Sequence, residues 1–183
     1  SLLFVPFAAF RRPGLGFYNN SEDLSMTWAA SVFRSGPDNF GDSISTDGGW
    51  GSSERVTYLP YWENEGEDYL HLGAAHFFNN PPNDRVVFRT IPEMFIGQNV
   101  NVAGGTSGIP VPTGAIDGTP FFASTGTLIV NHYNVVGAEL LWVRGPLSIQ
   151  SEAQVNFVDQ LAGNPGATLE GVYAQVGYFL TGE

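Results

Sequence analysis

The sequence predicts an all-β fold, an antiparallel meander of about eight strands forming part of a transmembrane β-barrel. Three observations point there. Apolar residues recur with period two along the chain, and no segment holds a 3.6-residue apolar period over three turns. Charged residues make up 14 % of the 183 residues, against roughly 25 % in an ordinary soluble domain. Aromatics supply another 14 % and glycine 23 positions, yet the mean hydropathy is only −0.03. A barrel yields this mixture because its strands alternate lipid-facing apolar and lumen-facing polar side chains.

In chain order, a short strand at 15–19 comes first. Over 24–33, Leu24, Met26, Trp28, Ala30 and Val32 share one face, while Ser25, Thr27, Ala29, Ser31 and Phe33 share the other. Over 55–60, Val56 and Tyr58 oppose Arg55 and Thr57. Over 69–78, Leu70, Leu72, Ala74 and Phe78 oppose Tyr69, His71, Gly73 and Ala75. Over 85–90, Val86 and Phe88 oppose Arg85, Val87 and Arg89. Over 135–143, Val136, Ala138, Leu140 and Trp142 oppose Gly137, Glu139 and Leu141. Over 147–157, Leu147, Ile149, Ala153, Val155 and Phe157 oppose Ser148, Gln150, Glu152, Gln154 and Asn156. Over 171–180, Val172, Ala174, Val176, Tyr178 and Leu180 oppose Gly171, Tyr173, Gln175 and Gly177. Several segments approach the ~9–11 residues that a tilted spanning strand needs. The apolar faces are nearly free of charge and are expected to form one lipid-facing band.

The connections at 20–23, 61–68, 79–84 and 145–146 are short to medium. Those at 36–49 and 94–125 are long and rich in Gly, Asp, Pro and Thr. Counting 85–91 as a spanning strand puts the 145–146 turn on the side opposite the 61–68 turn. An extra strand near 124–131 would restore the parity. The whole chain, 1–183, reads as a single domain. The stretch 94–125 is too long for a passive link and is either partly a strand or a functional loop.

Composition also excludes several classes. There are 18 acidic residues and 7 arginines with no lysine, a net charge of −11. Nucleic acid is therefore not an expected partner, since phosphate binding needs a cationic surplus. No cysteine is present, which removes disulfides, thiol catalysis and Cys-ligated zinc. The longest near-apolar run, 2–10, contains Pro6 and falls well short of the ~20 residues of a spanning helix. The sequence shows no Met at its start and stops in a strand-like stretch, which suits a mature, a trimmed or an internal piece alike.

Five stretches carry a family resemblance. They are Thr27 to Arg34, Arg55 to Ala74 with its Tyr-Leu-Pro-Tyr and Tyr-Leu-His-Leu-Gly-Ala runs, and Val86 to Glu93. The last two are Gly137 to Glu152, which includes Arg-Gly-Pro-Leu-Ser-Ile-Gln, and Tyr173 to the closing Tyr-Phe-Leu-Thr-Gly-Glu. In order and spacing they resemble the porin O and P family, the phosphate- and polyphosphate-selective outer-membrane porins. The resemblance covers roughly residues 10 to 183. It implies a homotrimer of barrels of about 16 strands each, of which this chain is the central portion. It also implies the bacterial outer membrane as location and lipid partner, and small solutes, anions among them, as cargo. Two features depart from the family: lysine is absent, and Val87 stands where the family often has another arginine. The segment 94–125 is then the candidate for the pore-constricting loop.

The expected pore-lining residues are Arg55, Arg85, Arg89, His71, Glu139, Gln150, Glu152 and Gln154, all on the polar parity of their strands. The arginines read either as a cationic patch that attracts anions or as ion-pair partners of wall carboxylates such as Glu139. Arg34 and Arg144, at strand ends, suit snorkelling to the interface. The Glu63, Glu65, Glu67 and Asp68 run is expected to be a solvated turn. No cofactor or metal is expected: His71, His76 and His132 are scattered, and Ser107 lacks a nucleophile-elbow setting.

Two rival readings keep the same alternation. One is a soluble β-sandwich carbohydrate-binding module using Trp28, Trp142 and Tyr178. The other is a β-jelly-roll glycosidase with Glu139 and Glu152 as its carboxylate pair. The register of one hairpin bears on both. Gly145-Pro146 suits a two-residue type II′ turn, because Gly accepts φ > 0 and Pro the following negative φ. That turn pairs Trp142 with Ile149, Ala138 with Ala153, Val136 with Val155 and Leu141 with Gln150. It sets Glu139 directly opposite Glu152, where like charges repel. An arginine, Arg89 or Arg85, is expected to reach between them.

Overall fold

A computed structural model describes residues 12–35, 49–90, 122–161 and 163–180. Its strands in chain order are β1 (Gly14–Asn20), β2 (Met26–Ser35), β3 (Gly49–Glu63), β4 (Asp68–Asn80), β5 (Arg85–Val86), β6 (Arg89–Thr90), β7 (Ala123–Ser124), β8 (Leu128–Arg144), β9 (Leu147–Gln160) and β10 (Ala167–Tyr178). One open sheet runs β1-β2-β3-β4-β8-β9-β10, with β5 paired beside the start of β8. Every pairing is antiparallel. The fold is an all-β meander that forms part of a barrel.

The alternation of the sequence sets the two faces. Leu15, Phe17, Met26, Trp28, Val32, Val56, Tyr58, Leu72, Val136, Leu140, Val172 and Val176 are all exposed and share the apolar face through the pairing register. No second sheet covers that face among the described residues, so the sandwich and jelly-roll expectations are not met. The apolar face is not charge-free as expected. Glu54 and His76 point outward with Asn134: the His76 ring meets Glu54 Oε2 at 2.9 Å through Nδ1 and Asn134 Oδ1 at 3.1 Å through Nε2. Glu170 shares this face. Local alternation hid Glu54 because the strand was expected to begin only at Arg55.

Strands run longer than the alternation suggested, β3 reaching 15 residues and β8 17. The Gly49-Trp50-Gly51-Ser52-Ser53 start of β3 reads locally as a loop. It pairs because Gly51 leaves room for an aromatic ring: a Cβ there would lie 2.6 Å from Phe33 Cζ. That ring stacks on Phe77 at a centroid distance of 5.6 Å. Farther along β3 the register slips by one between Tyr58 and Tyr61, around Pro60, which has no N–H for the ladder. The slip turns Tyr61 outward, where its hydroxyl accepts from Trp142 Nε1 at 2.8 Å.

The largest difference lies at 85–90. A spanning strand was expected there, with Val86 and Phe88 toward lipid. Instead Pro81-Pro82 and positive φ at Asn83 (58°) and Asp84 (52°) turn the chain back. Val86 and Phe88 are buried against Val130, Tyr133, Val135 and Val158, on the face opposite the apolar band. Phe88 meets Tyr133 edge-on with centroids 5.1 Å apart. Two apolar residues found a better seat on the sheet than in lipid, because this end of the polar face is itself apolar. β6 then pairs with β7 as a separate two-stranded ribbon.

This removes the parity conflict. β4 pairs directly with β8, so the 64–67 and 145–146 turns lie at the same end, joined by the Gly145 N–H donating to Glu67 O at 2.8 Å. The 21–25 turn is there too, since the Leu59 N–H donates to Ser25 O at 2.7 Å. Every longer connection, 36–48, 81–127 and 161–166, leaves from the opposite end. The stretch 94–125 lies outside the described residues except for its last four, 122–125.

Candidate functional site

One row of residues crosses the polar face at mid-sheet: Thr27, Thr57, Gly73, Glu139, Glu152 and Tyr173 pair in turn across β2, β3, β4, β8, β9 and β10. Its position follows from the hairpin at Gly145-Pro146. Gly145 takes φ 52°, Arg144 pairs with Leu147, and all five expected pairs form, Glu139 opposite Glu152 among them.

The two carboxylates are relieved sideways. Gly73 has no side chain beneath Glu139, and a Cβ there would fall 2.4 Å from Glu139 Oε1. Glu139 therefore leans across β4 toward β3, away from Glu152. There its Oε1 accepts from Arg55 Nη2 in an ion pair and from His71 Nε2 at 2.9 Å. A ring nitrogen facing a carboxylate carries the proton, which fixes His71 as a donor at Nε2. Ala75, beside Arg55 in the register, offers little bulk in the guanidinium's path.

Glu152 has no such partner. Its Oε1 lies 3.5 Å from Gln150 Nε2, a marginal contact, because that amide donates to Tyr173 Oη at 2.9 Å. Its Oε2 has no hydrogen-bond partner. Gln150 Oε1 in turn accepts from Gln175 Nε2 at 2.9 Å. Gln154 Oε1 and both polar atoms of the buried Asn156 lack partners as well. β9 thus presents Gln150, Glu152, Gln154 and Asn156 in line on the polar face. At the row's other end the hydroxyls of Thr27 and Thr57 are 2.5 Å apart.

The structure therefore brings Arg55, His71 and Glu139 together and aligns Gln150, Glu152 and Gln154 beside them. Arg85 stands apart, exposed at the start of β5. Arg89 lies on β6, opposite Ser124. The arginine that meets Glu139 is Arg55, because Glu139 leans toward β3. Sequence reasoning missed Gly73 and Tyr173 as members of the site. An isolated glycine inside a strand marks close approach by a neighbour, and that signal was available for Gly73.

The geometry offers, among the described residues, a hydrogen-bonding surface on which the charges of Arg55 and Glu139 meet beside a row of amides. Among the described residues, no three His, Asp or Glu side chains group so as to hold a metal. A search of curated proteins finds no match. The family described as phosphate-selective porin O and P matches residues 8–183. With nearly the whole chain covered and an open, two-faced antiparallel sheet to match, this chain belongs to the phosphate-selective porin O and P family.

Proposed function

We propose that the polar face of this sheet lines a water-filled pore of the bacterial outer membrane, through which small solutes, anions among them, pass by diffusion. The apolar face meets lipid, and no bond is made or broken. The observation that carries this reading is the division of the sheet: large apolar side chains exposed on one face, a hydrogen-bonded charged row on the other. Short turns gather at one end and long connections at the other, the asymmetry of outer-membrane barrels, whose short turns are periplasmic. Arg55, His71, Glu139, Gln150, Glu152 and Gln154 belong to the wall. Arg85 and Arg89 belong to the segment that folds back over the polar face, and the stretch 94–125 continues from it as a constricting loop. Family membership supports assembly as a homotrimer, with 1–183 one part of each barrel.

Because Arg55 is matched by Glu139, this section of wall carries little net positive charge, so anion preference is weak for the family. The test is conductance of the full-length protein in planar bilayers. Stepwise, ohmic conductance is expected, with a shallow response to phosphate. A protein that stays soluble without amphiphile and gives no conductance steps overturns the reading.

A further inference from the structure

We infer that Glu152 is the wall charge that sets ion preference in this part of the pore, opposing anions and favouring small cations. The inference rests on the pore reading above. Four charged or ionisable groups meet at mid-sheet: Arg55, His71, Glu139 and Glu152. Three of them are committed to one another. Arg55 and His71 both donate to the same oxygen, Glu139 Oε1, so the field of the arginine is largely cancelled within a few ångströms. Glu152 sits directly opposite Glu139 yet shares neither donor. Its other neighbour across the sheet is Tyr173, whose hydroxyl accepts from Gln150. Among the residues whose side chains are described no cation meets Glu152, and its Oε2, shielded from solvent by the neighbouring side chains, has no hydrogen-bond partner. The amides beside it, Gln150 and Gln154, are neutral. A close ion pair acts on a passing ion only as a dipole, whereas an unmatched carboxylate acts as a full charge.

Glu152 remains unmatched for a local reason. Gly73 lets Glu139 swing toward β3 and draw Arg55 and His71 with it. On the other side, β10 offers Gly171, Tyr173 and Gln175 near Glu152, none of them basic. A wall that neutralised both carboxylates needs a second cation on β9 or β10, and neither strand has one.

In a water-filled channel, a unit charge about 8 Å from an ion's path changes local ion concentration by about twofold. The ratio of anion to cation changes by about the square of that, about fourfold. The experiment is reversal potential across a salt gradient for the full-length protein in planar bilayers at low ionic strength. E152Q is expected to raise the anion-to-cation permeability ratio by about two- to fivefold, with the effect fading near 1 M salt. E152D keeps the wild-type ratio. E170Q removes the same charge from the outward face and leaves the ratio unchanged. Q150E adds a further unmatched carboxylate to the same face, shifts the ratio toward cations, and tests the inference even if E152Q fails to insert. Wild-type conductance with no shift in E152Q or Q150E overturns the role of Glu152 and leaves the pore standing. Absence of wild-type conductance overturns the pore itself. An equal shift in E170Q overturns the inference, because the response then reflects overall charge alone.

Discussion

Gly73 and Glu139 face each other across β4 and β8, and the missing side chain of one is the space in which the carboxylate of the other lies. A Cβ at position 73 would stand 2.4 Å from Oε1, 2.6 Å from Cγ and 2.7 Å from Cδ of Glu139. The whole end of the glutamate occupies the glycine's place. Three consequences follow for Gly73→Ala. Glu139 must rise off the sheet, the Arg55 pair must lengthen, and His71 must lose its acceptor. The expected cost is about 1–3 kcal/mol, the range for overpacking a filled site. It is read as a lower urea midpoint for the full-length protein refolded in detergent micelles. An unchanged midpoint would show that Glu139 has another resting place.

The facing of the sheet can be tested at Val172, which is 73 % exposed on the apolar face of β10. Val172→Arg puts a guanidinium into hydrocarbon, at a cost of about 2–4 kcal/mol near the bilayer centre. Gln154→Arg, on the polar face of the adjacent strand, reaches water and costs far less. Equilibrium unfolding of both variants in lipid vesicles should separate them in that order. The reverse order would mean that the faces were assigned the wrong way round.

Phe88 anchors the infolded segment. It is 4 % exposed and closes over Tyr133, and its backbone is pinned by the Thr125 N–H, which donates to Phe88 O at 3.0 Å. Phe88→Ala should cost about 3–5 kcal/mol locally, as for other buried phenylalanines. The loss falls on the segment rather than the sheet. The expected signature is faster proteolysis between Pro81 and Leu128 with retained strand signal. A variant as resistant as the parent would show that the segment is held by something other than Phe88.

Asp23 gives the fold an acid dependence at one turn. The Ser21 hydroxyl donates to its carboxylate at 2.5 Å, the Ser25 N–H at 3.1 Å and the Ser25 hydroxyl at 2.9 Å. Those bonds, the Ser21 hydroxyl foremost, hold its pKa below the ordinary 3.8. A carboxyl depressed by folding stabilises the folded form above its unfolded pKa, and the contribution is lost as pH falls through the folded value. Amide exchange at Ser25 and Met26 should therefore quicken as pH drops below about 4, beyond the intrinsic pH trend. Asp23→Asn should remove that added dependence. Acid-independent protection in the parent protein would separate Asp23 from the turn.

The hairpin register was legible in the sequence because two residues, Gly145 and Pro146, fix both the turn type and the pairing, and the alternation on each side agrees with them. The apolar band was legible for a similar reason: period two runs along the long strands, interrupted in β3 between Tyr58 and Tyr61 and in β8 between Val130 and His132. The segment 85–90 was not. Arg85, Val86, Phe88 and Arg89 alternate as well as any spanning strand, and what sends them inward is a seat of Tyr133, Val135 and Val158 far along the chain. A local window cannot see that seat. The Glu139 partnership was half legible. The need for an arginine followed from placing two carboxylates opposite each other. Which arginine answers was decided by Gly73, whose absent side chain sets the direction in which Glu139 leans.

The direct seam between β4 and β8 bears on the order of assembly. β3–β4 and β8–β9 are each closed by short turns, so each can form on its own at small entropic cost. Joining them must bring Asn79 opposite Tyr133 across the intervening stretch 80–132. Loop-closure entropy grows only as the logarithm of that length, with each doubling costing about 0.6 kcal/mol. Non-local pairings of this kind are nonetheless the slow step in β proteins. The seam is thus expected to zip after its two hairpins, starting beside the 64–67 and 145–146 turns where the Gly145 N–H meets Glu67 O. Length added within 91–121 should slow that event only slightly, whereas a proline in the paired part of β4 or β8 should stall it.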